Sequence, residues 1–320
     1  MKHLLSLEAL SRHDIETITQ SAAILKRERG RHPRLPLTGQ TWALIFGKSS
    51  TRTRVSFEVG LRELGGQAMF LNANDIQLGR GEPIKDTARV LGRMIHGAII
   101  RTFAQRDVEE FAQYSGVPTI NALTDDEHPC QILADLFTYE EKRGSIRGKV
   151  VTFVGDGACN VPASWVCAAA CLGFELRIAA PQNYRPAEAL LRRVAPHRCF
   201  VTGSGPASEV RFHYESGGQV VLLSNLESAA TGADLLYTDV WVSMGKEAEA
   251  SQRLAALSGY QINAALVGRA KADALVMHCL PAYRGKEIDE ATFERHAPTI
   301  FDQAENRLHV QKAILSLLAA

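Results

Sequence analysis

Two hydrophobic rhythms alternate along this chain. Short, nearly continuous apolar runs such as Trp42-Ala-Leu-Ile-Phe46 and Val150-Val-Thr-Phe-Val154 have the pattern of strands buried on both faces. Between them lie longer stretches in which apolar residues return every three or four positions, the mark of helices with one buried stripe. An amphipathic helix is expected over 12–29, opened by Ser11 and stopped by Gly30, and a Pro-containing loop (32–36) follows. The first series then reads strand 41–46, helix 52–64, strand 68–71, helix 83–95, strand 97–102, helix 105–115, strand 117–122 and helix 129–143. The Gly-rich, charged stretch Arg143-Gly-Ser-Ile-Arg-Gly-Lys149 interrupts the rhythm and marks a boundary. A second series follows: strand 150–154, helix 161–172, strand 174–179, helix 186–195, strands 219–223 and 234–238, helix 246–257 and strand 274–278. The pattern predicts an α/β protein with two doubly wound parallel-sheet domains, at 1–143 and 149–302, joined by interdomain helices. A last helix over 303–320 follows all of these strands and is expected to return to the first domain.

The totals fit this reading. A chain of 320 residues suits two domains of about 150 each. Hydrophobic residues at 46% and charged residues at 22% are the proportions of a globular protein. The formal charge of +1 disfavours a broad nucleic-acid surface, so an anion site has to be local. The first residues turn charged too soon for a secretory signal, and no apolar run approaches the ~18–20 residues of a membrane span. Six cysteines at 130, 159, 167, 171, 199 and 279 suggest thiols in a reducing compartment, and a cytoplasmic location is expected.

Candidate chemistry gathers where strands end. Ser50-Thr51-Arg52-Thr53-Arg54 opens a helix directly after the first strand. Unpaired N–H groups and about half a positive charge at a helix start favour an anion. Arg52 and Arg54 add charged forks suited to phosphate, and the hydroxyls add neutral donors. A plain helix cap needs one hydroxyl, not three interleaved with two arginines. Four further clusters sit at strand ends: Arg101, Asp125–Gln131, Asp239–Gly245 and His278–Pro281. Gly155-Asp-Gly157 has Asn160 where a dinucleotide fingerprint has its third glycine, and Walker-type loops are absent, so no nucleotide cofactor is expected. His128, Cys130, His278 and Cys279 match no usual zinc spacing, and no metal is expected.

Phe46-Gly-Lys-Ser-Ser-Thr-Arg-Thr-Arg54, His128-Pro-Cys-Gln131, Asp239-Val-Trp-Val-Ser-Met-Gly245 and His278-Cys-Leu-Pro281 together resemble the signatures of the ornithine carbamoyltransferases. The resemblance runs from the first strand to Arg307. It implies that Ser50, Thr51, Arg52 and Thr53 hold the phosphate of carbamoyl phosphate, with Arg101 and His128 at its carbonyl oxygen. Gln131 and the backbone carbonyls of Cys279 and Leu280 would accept from the carbamoyl NH2, and Arg307 would complete that pocket. Asn160, Asp239, Ser243 and Met244 would bind the α-amino and α-carboxylate groups of ornithine. Gln77 resembles a residue lent to a neighbouring subunit, which implies a trimer or a multiple of one. The first domain would thus bind carbamoyl phosphate and the second ornithine.

The implied catalytic residues are Arg52, Arg101, His128 and Cys279, in a reaction giving citrulline and phosphate without a cofactor. Two features depart from the usual pattern: Cys159 replaces the first of two asparagines, and Gly47 sits where an acid is frequent. Alternatives are transfer to another amine, such as putrescine or N-acetylornithine, and an anion-binding relative without catalysis. The Asp-Val-Trp-Val-Ser-Met-Gly loop favours ornithine among the amines, because it carries an acid for the α-amine and no base for a second carboxylate.

Overall fold

The computed structural model describes residues 1–73, 81–194, 200–202 and 209–319. It forms two compact units, one of Met1–Phe137 with Glu305–Ala320, the other of Thr138–Ala304.

The first unit opens with helix α1 (Arg12–Arg27), started by a capping box. The Ser11 hydroxyl accepts the Asp14 N–H, and the Asp14 carboxylate accepts the Ser11 N–H in return. Strand β1 (Thr41–Phe46) leads through α2 (Thr51–Glu63) to β2 (Gln67–Asn72). Then come α3 (Ile84–Leu91), β3 (Gly97–Arg101), α4 (Gln105–Ser115), β4 (Thr119–Leu123) and α5 (Pro129–Arg143). The four strands are parallel in the order β2-β1-β3-β4. Ala43, Ile45, Ala98, Ile100 and Phe111 pack in one core cluster of this unit. Gly97 is glycine for a steric reason, since a Cβ there would lie 2.4 Å from the Trp42 ring.

Winding reverses between β1 and β3, because β2 lies on one side of this pair and β4 on the other. Ligands of open α/β sheets bind beyond the carboxyl ends of strands at such a point. Phe46 and Arg101, the last residues of β1 and β3, are register partners there.

The second unit runs β5 (Val150–Val154), α6 (Asn160–Leu172), β6 (Glu175–Ala179), α7 (Glu188–Arg193), β7 (Phe200–Thr202), β8 (Val210–His213) and β9 (Gln219–Leu223). It continues with α8 (Leu226–Ala230), β10 (Leu235–Thr238), α9 (Ala250–Leu257), α10 (Ala264–Val267) and β11 (Leu275–His278). The sheet order is β11-β10-β5-β6-β9-β8-β7. Its winding reverses between β5 and β10, whose last residues Val154 and Thr238 are register partners; Thr238 pairs in turn with His278.

Several elements differ from expectation. The sheet of the second unit is not wholly parallel, because β8 and β7 extend its edge antiparallel. These strands are four and three residues long, too short for periodicity to reveal. The expected helix over 246–257 is a 3₁₀ turn (Glu247–Glu249) followed by α9. The final helix, α11 (Glu290–Leu318), begins well before 303 and continues through Pro298. Asp289 caps its start by accepting the Thr292 N–H at 2.7 Å. Phe293, Ala297 and Ile300 anchor the first half in the core of the second unit, and from Glu305 the helix belongs to the first. No helix among the described residues is long and apolar enough to cross a membrane.

Candidate functional site

In the first unit the expected phosphate residues sit at the start of α2. Ser50 is the N-cap, its hydroxyl accepting the Thr53 N–H at 3.3 Å. Thr51 is exposed, Arg52 half-buried and Thr53 buried. Arg307, from α11, donates to the Thr53 hydroxyl at 2.8 Å, which brings a residue remote in sequence to this helix start. Arg54 does not join them. Its guanidinium donates to Glu58 at 2.7 Å and lies 3.6 Å from the centre of the Phe70 ring, so the second phosphate fork expected from the sequence is engaged elsewhere.

Arg101 ends β3 beside β1, and the β3–β4 ladder shifts register between Ile100 and Arg101. A shift of this kind re-aims the side chains beyond it. His128 precedes α5 on a short loop tied to the N-terminal segment, where Glu127 accepts the Leu7 N–H at 2.8 Å and the Ser6 hydroxyl. Burial, with the nearby charges of Arg307 and Arg101, holds the His128 imidazole well below its usual range. It is therefore a neutral ring at physiological pH, able to donate a hydrogen bond without carrying charge. One turn into α5, Gln131 donates to Asp135 at 2.8 Å, which orients the amide and leaves its Oε1 without a partner among the described residues. Cys130 is a buried thiol pushed up to about 12 by burial, bonded to the Asn121 carbonyl at 3.4 Å. Gln77 lies outside the described residues.

In the second unit the candidates occupy three neighbouring strand ends. Asn160 follows the turn after β5 and is the first residue of α6, whose N-cap is Cys159. Asp239 follows β10, buried, with its Oδ1 accepting both the Val240 N–H at 2.7 Å and the Cys279 thiol at 2.9 Å. Burial raises the Asp239 carboxyl above its ordinary value against opposing influences that include His278 and the Cys279 thiol. Ser243 is half-buried and Met244 is exposed. Cys279 and Leu280 follow β11, and Leu280 has a left-handed backbone with φ 60°.

A cavity of about 560 Å³ near the ends of β1 and β3 is lined by Gly47, Glu82, Thr102, Arg106, Asp107 and Glu110 among others. None of the phosphate candidates lines it, and three carboxylates give it the wrong sign for phosphate.

A family model described as aspartate/ornithine carbamoyltransferase, carbamoyl-P binding domain, matches residues 2–141, and the Asp/Orn binding domain of the same family matches 147–318. The chain belongs to the aspartate/ornithine carbamoyltransferase family. An ornithine carbamoyltransferase of Akkermansia muciniphila is 54% identical over 100% of this chain and 98% of its own length. Among solved structures, ornithine carbamoyltransferase from Pyrococcus furiosus is 44% identical with a TM-score of 0.88, covering 99% of this chain and 96% of that one. The anabolic ornithine carbamoyltransferase of Campylobacter jejuni is 40% identical, also with a TM-score of 0.88, at 99% of both chains.

For this member of the family the structure adds side chains that the sequence reading left out. Lys48, buried just before the helix start, pairs with Asp125 and lies 4.3 Å from the centre of the Phe103 ring. It thereby links the loop before α2 to the loop before His128. A basic residue between an apolar strand and a hydroxyl-rich helix start was the available signal. Asp156, buried in the turn before Asn160, accepts Arg253 of α9 at 2.6 Å. Its other oxygen accepts the Ala158 N–H at 3.0 Å, so a single carboxylate shapes this turn and holds α9. The separation of 97 residues left no local signal for that pair.

Proposed function

We propose that this chain transfers the carbamoyl group of carbamoyl phosphate to the δ-amine of L-ornithine, giving L-citrulline and phosphate. The observation that carries the choice of ornithine is the buried Asp239 carboxyl beside Cys279, an acceptor for an α-ammonium group, in a chain that aligns end to end with ornithine carbamoyltransferases. Residues 1–143 form the carbamoyl-phosphate-binding domain and 149–302 the ornithine-binding domain, and the part of α11 from Glu305 onward returns to the first. Ser50, Thr51, Arg52 and Thr53 hold the phosphate, assisted by Arg307 and by Gln77 of a neighbouring subunit. Arg101 and the neutral His128 donate to the carbamoyl oxygen. The open Oε1 of Gln131, with the carbonyls of Cys279 and Leu280, accepts from the carbamoyl NH2. Asn160, Asp239, Ser243 and the Met244 backbone bind the α-amino and α-carboxylate groups.

The neutral δ-amine attacks the carbamoyl carbon, and charge grows on the carbonyl oxygen in the tetrahedral transition state. Arg101 and His128 stabilise it there as an oxyanion hole does. Arg52 and the donors at the start of α2 offset the charge of the departing phosphate. Cys279 forms no covalent bond to substrate. Its thiol, bonded to Asp239, positions the amine and helps it lose a proton. No cofactor is required. The proposed setting is arginine biosynthesis in the cytoplasm, as a trimer or a multiple of trimers.

A panel of ornithine, N-acetylornithine, putrescine and aspartate with carbamoyl phosphate tests the proposal. Product from ornithine alone is expected. Product from another amine instead would discard the Asp239–Met244 assignment, and no product from any would leave an anion-binding relative.

A further inference from the structure

Helix α2 begins at the proposed phosphate site and ends, at Glu63, among charges that the proposed reaction does not use. Lys312 of α11 is fully buried there. Its Nζ donates to Glu63 Oε2 at 2.6 Å, to His32 Nε2 at 3.1 Å and to the Leu25 carbonyl at 3.5 Å. An ammonium group has three donors and accepts nothing, so all three are spent and His32 presents a bare Nε2. Glu63 is held from its other side as well, its Oε1 accepting Arg29 Nε at 3.1 Å. One buried cation thus gathers the last turn of α1, the loop after it, the end of α2 and α11.

The same two helices meet at two further points. At Gly60 they touch, since a Cβ there would lie 3.3 Å from Lys312 Cγ and 3.5 Å from Leu308 Cδ1. At the start of α2, Arg307 donates to the Thr53 hydroxyl at 2.8 Å. Thr53 and Glu63 are about 15 Å apart along the axis of α2. Ties at both ends, with a close contact between them, leave α2 no freedom to slide along α11 or to turn about its own axis. A close-packed helix transmits strain, so a slip at the Glu63 end reappears at Ser50–Thr53.

We infer that Lys312 and Glu63 are positioning residues for the phosphate: the pair fixes the register of α2 against α11 and so sets where the donors of Ser50–Thr53 and the guanidinium of Arg307 stand. The consequence for turnover rests on the proposed reaction, whereas the register does not. A buried pair that only contributed stability would, when broken, lower Tm and leave the start of α2 as it was.

Variants of the full chain separate these readings. Lys312→Met leaves Glu63 without its cation, and the double variant Lys312→Met, Glu63→Leu replaces the pair by an apolar contact of similar length. Gly60→Ala keeps the pair and presses the two helices apart. Without substrate, hydrogen exchange at the Thr53 and Arg54 amides, which donate to Ser50, reads the start of α2. Lys312→Met and Gly60→Ala are expected to speed it about tenfold relative to the amides of α4, and the double variant to stay near the parent. Faster exchange confined to the Glu63 end overturns the inference whether or not the protein makes citrulline. In kinetics well below each Tm, Lys312→Met and Gly60→Ala are expected to raise KM for carbamoyl phosphate about tenfold and KM for ornithine less than about twofold. That is part of the roughly hundredfold loss that an ångström-sized misplacement can cost. Equal changes in the two KM values, or none, overturn the positioning role, and if Lys312→Met does not fold, Gly60→Ala decides. A parent chain that makes no citrulline counts against the proposed reaction and leaves the exchange rates to decide the register.

Discussion

At the scale of single residues, the proposed binding role of Asp239 and its effect on stability pull apart. Burial raises its carboxyl, so the folded state favours the protonated form more than the unfolded chain does. Its contribution to stability is present in full below the ordinary carboxylate range and is lost as pH rises through the folded value. Both of its hydrogen bonds use Oδ1, which an asparagine can keep. Asp239→Asn is therefore expected to raise Tm at pH 8 by about 2–4 °C for each kcal/mol relieved, less so near pH 4, while citrulline formation collapses. Differential scanning calorimetry at the two pH values, with an ornithine assay, checks both halves. Arg52 is the opposite case, a half-buried fork at a helix start with no role in the core. Arg52→Ala is expected to cost at least about two orders of magnitude in kcat/KM with little change in Tm. A loss of tenfold or less would remove Arg52 from the centre of the site.

At the scale of elements, each winding reversal gathers the candidate residues of its own unit. β1 and β3 end side by side at Phe46 and Arg101, so the start of α2 and the guanidinium of Arg101 share one edge of the first sheet. β5, β10 and β11 do the same for Asn160, Asp239 and Cys279 in the second. The ladder between β1 and β3 depends on Trp42 lying over Gly97. Gly97→Ala would set a methyl group against the indole and is expected to destabilise the unit by about 1–3 kcal/mol, the usual cost of overpacking. Because Arg101 sits four residues along the same strand, kcat should fall as well. Denaturant melts of the variant, followed through tryptophan fluorescence, measure the first effect. A melt unchanged from the parent would mean that the strand ends tolerate a shift the geometry does not suggest.

At the scale of the molecule, the reaction demands a neutral amine from a substrate that is almost wholly protonated. An alkylamine of pKa near 10.4 is less than about one part in a thousand free base at pH 7. Apparent affinity for ornithine is therefore expected to rise about tenfold per unit between about pH 7 and 9. The His128 imidazole, depressed well below its usual range, does not titrate in that window and should leave carbamoyl-phosphate binding through this group unchanged. Steady-state kinetics across the range give the answer, and a flat ornithine dependence would remove the free-amine step from the mechanism.

The strand–helix alternation of the first unit, the helix start at Ser11 and the four strand-end motifs could be read from the sequence, because each depends on neighbours within a few positions. Tertiary structure decided what depends on distant ones. Arg54 turns to Glu58 and Phe70 and away from the helix start, a choice between equally charged arginines that no local pattern distinguishes. β7 and β8 exist because an edge of the second sheet offers them partners, not because their residues are periodic. α11 continues through Pro298 with Phe293, Ala297 and Ile300 buried around it, where propensity alone predicts a break. The contacts Arg307–Thr53, Asp156–Arg253 and Lys48–Asp125 join residues 254, 97 and 77 positions apart. Local periodicity carries the information for backbone shape. The partner of a buried charge is chosen only when the chain has brought the two together.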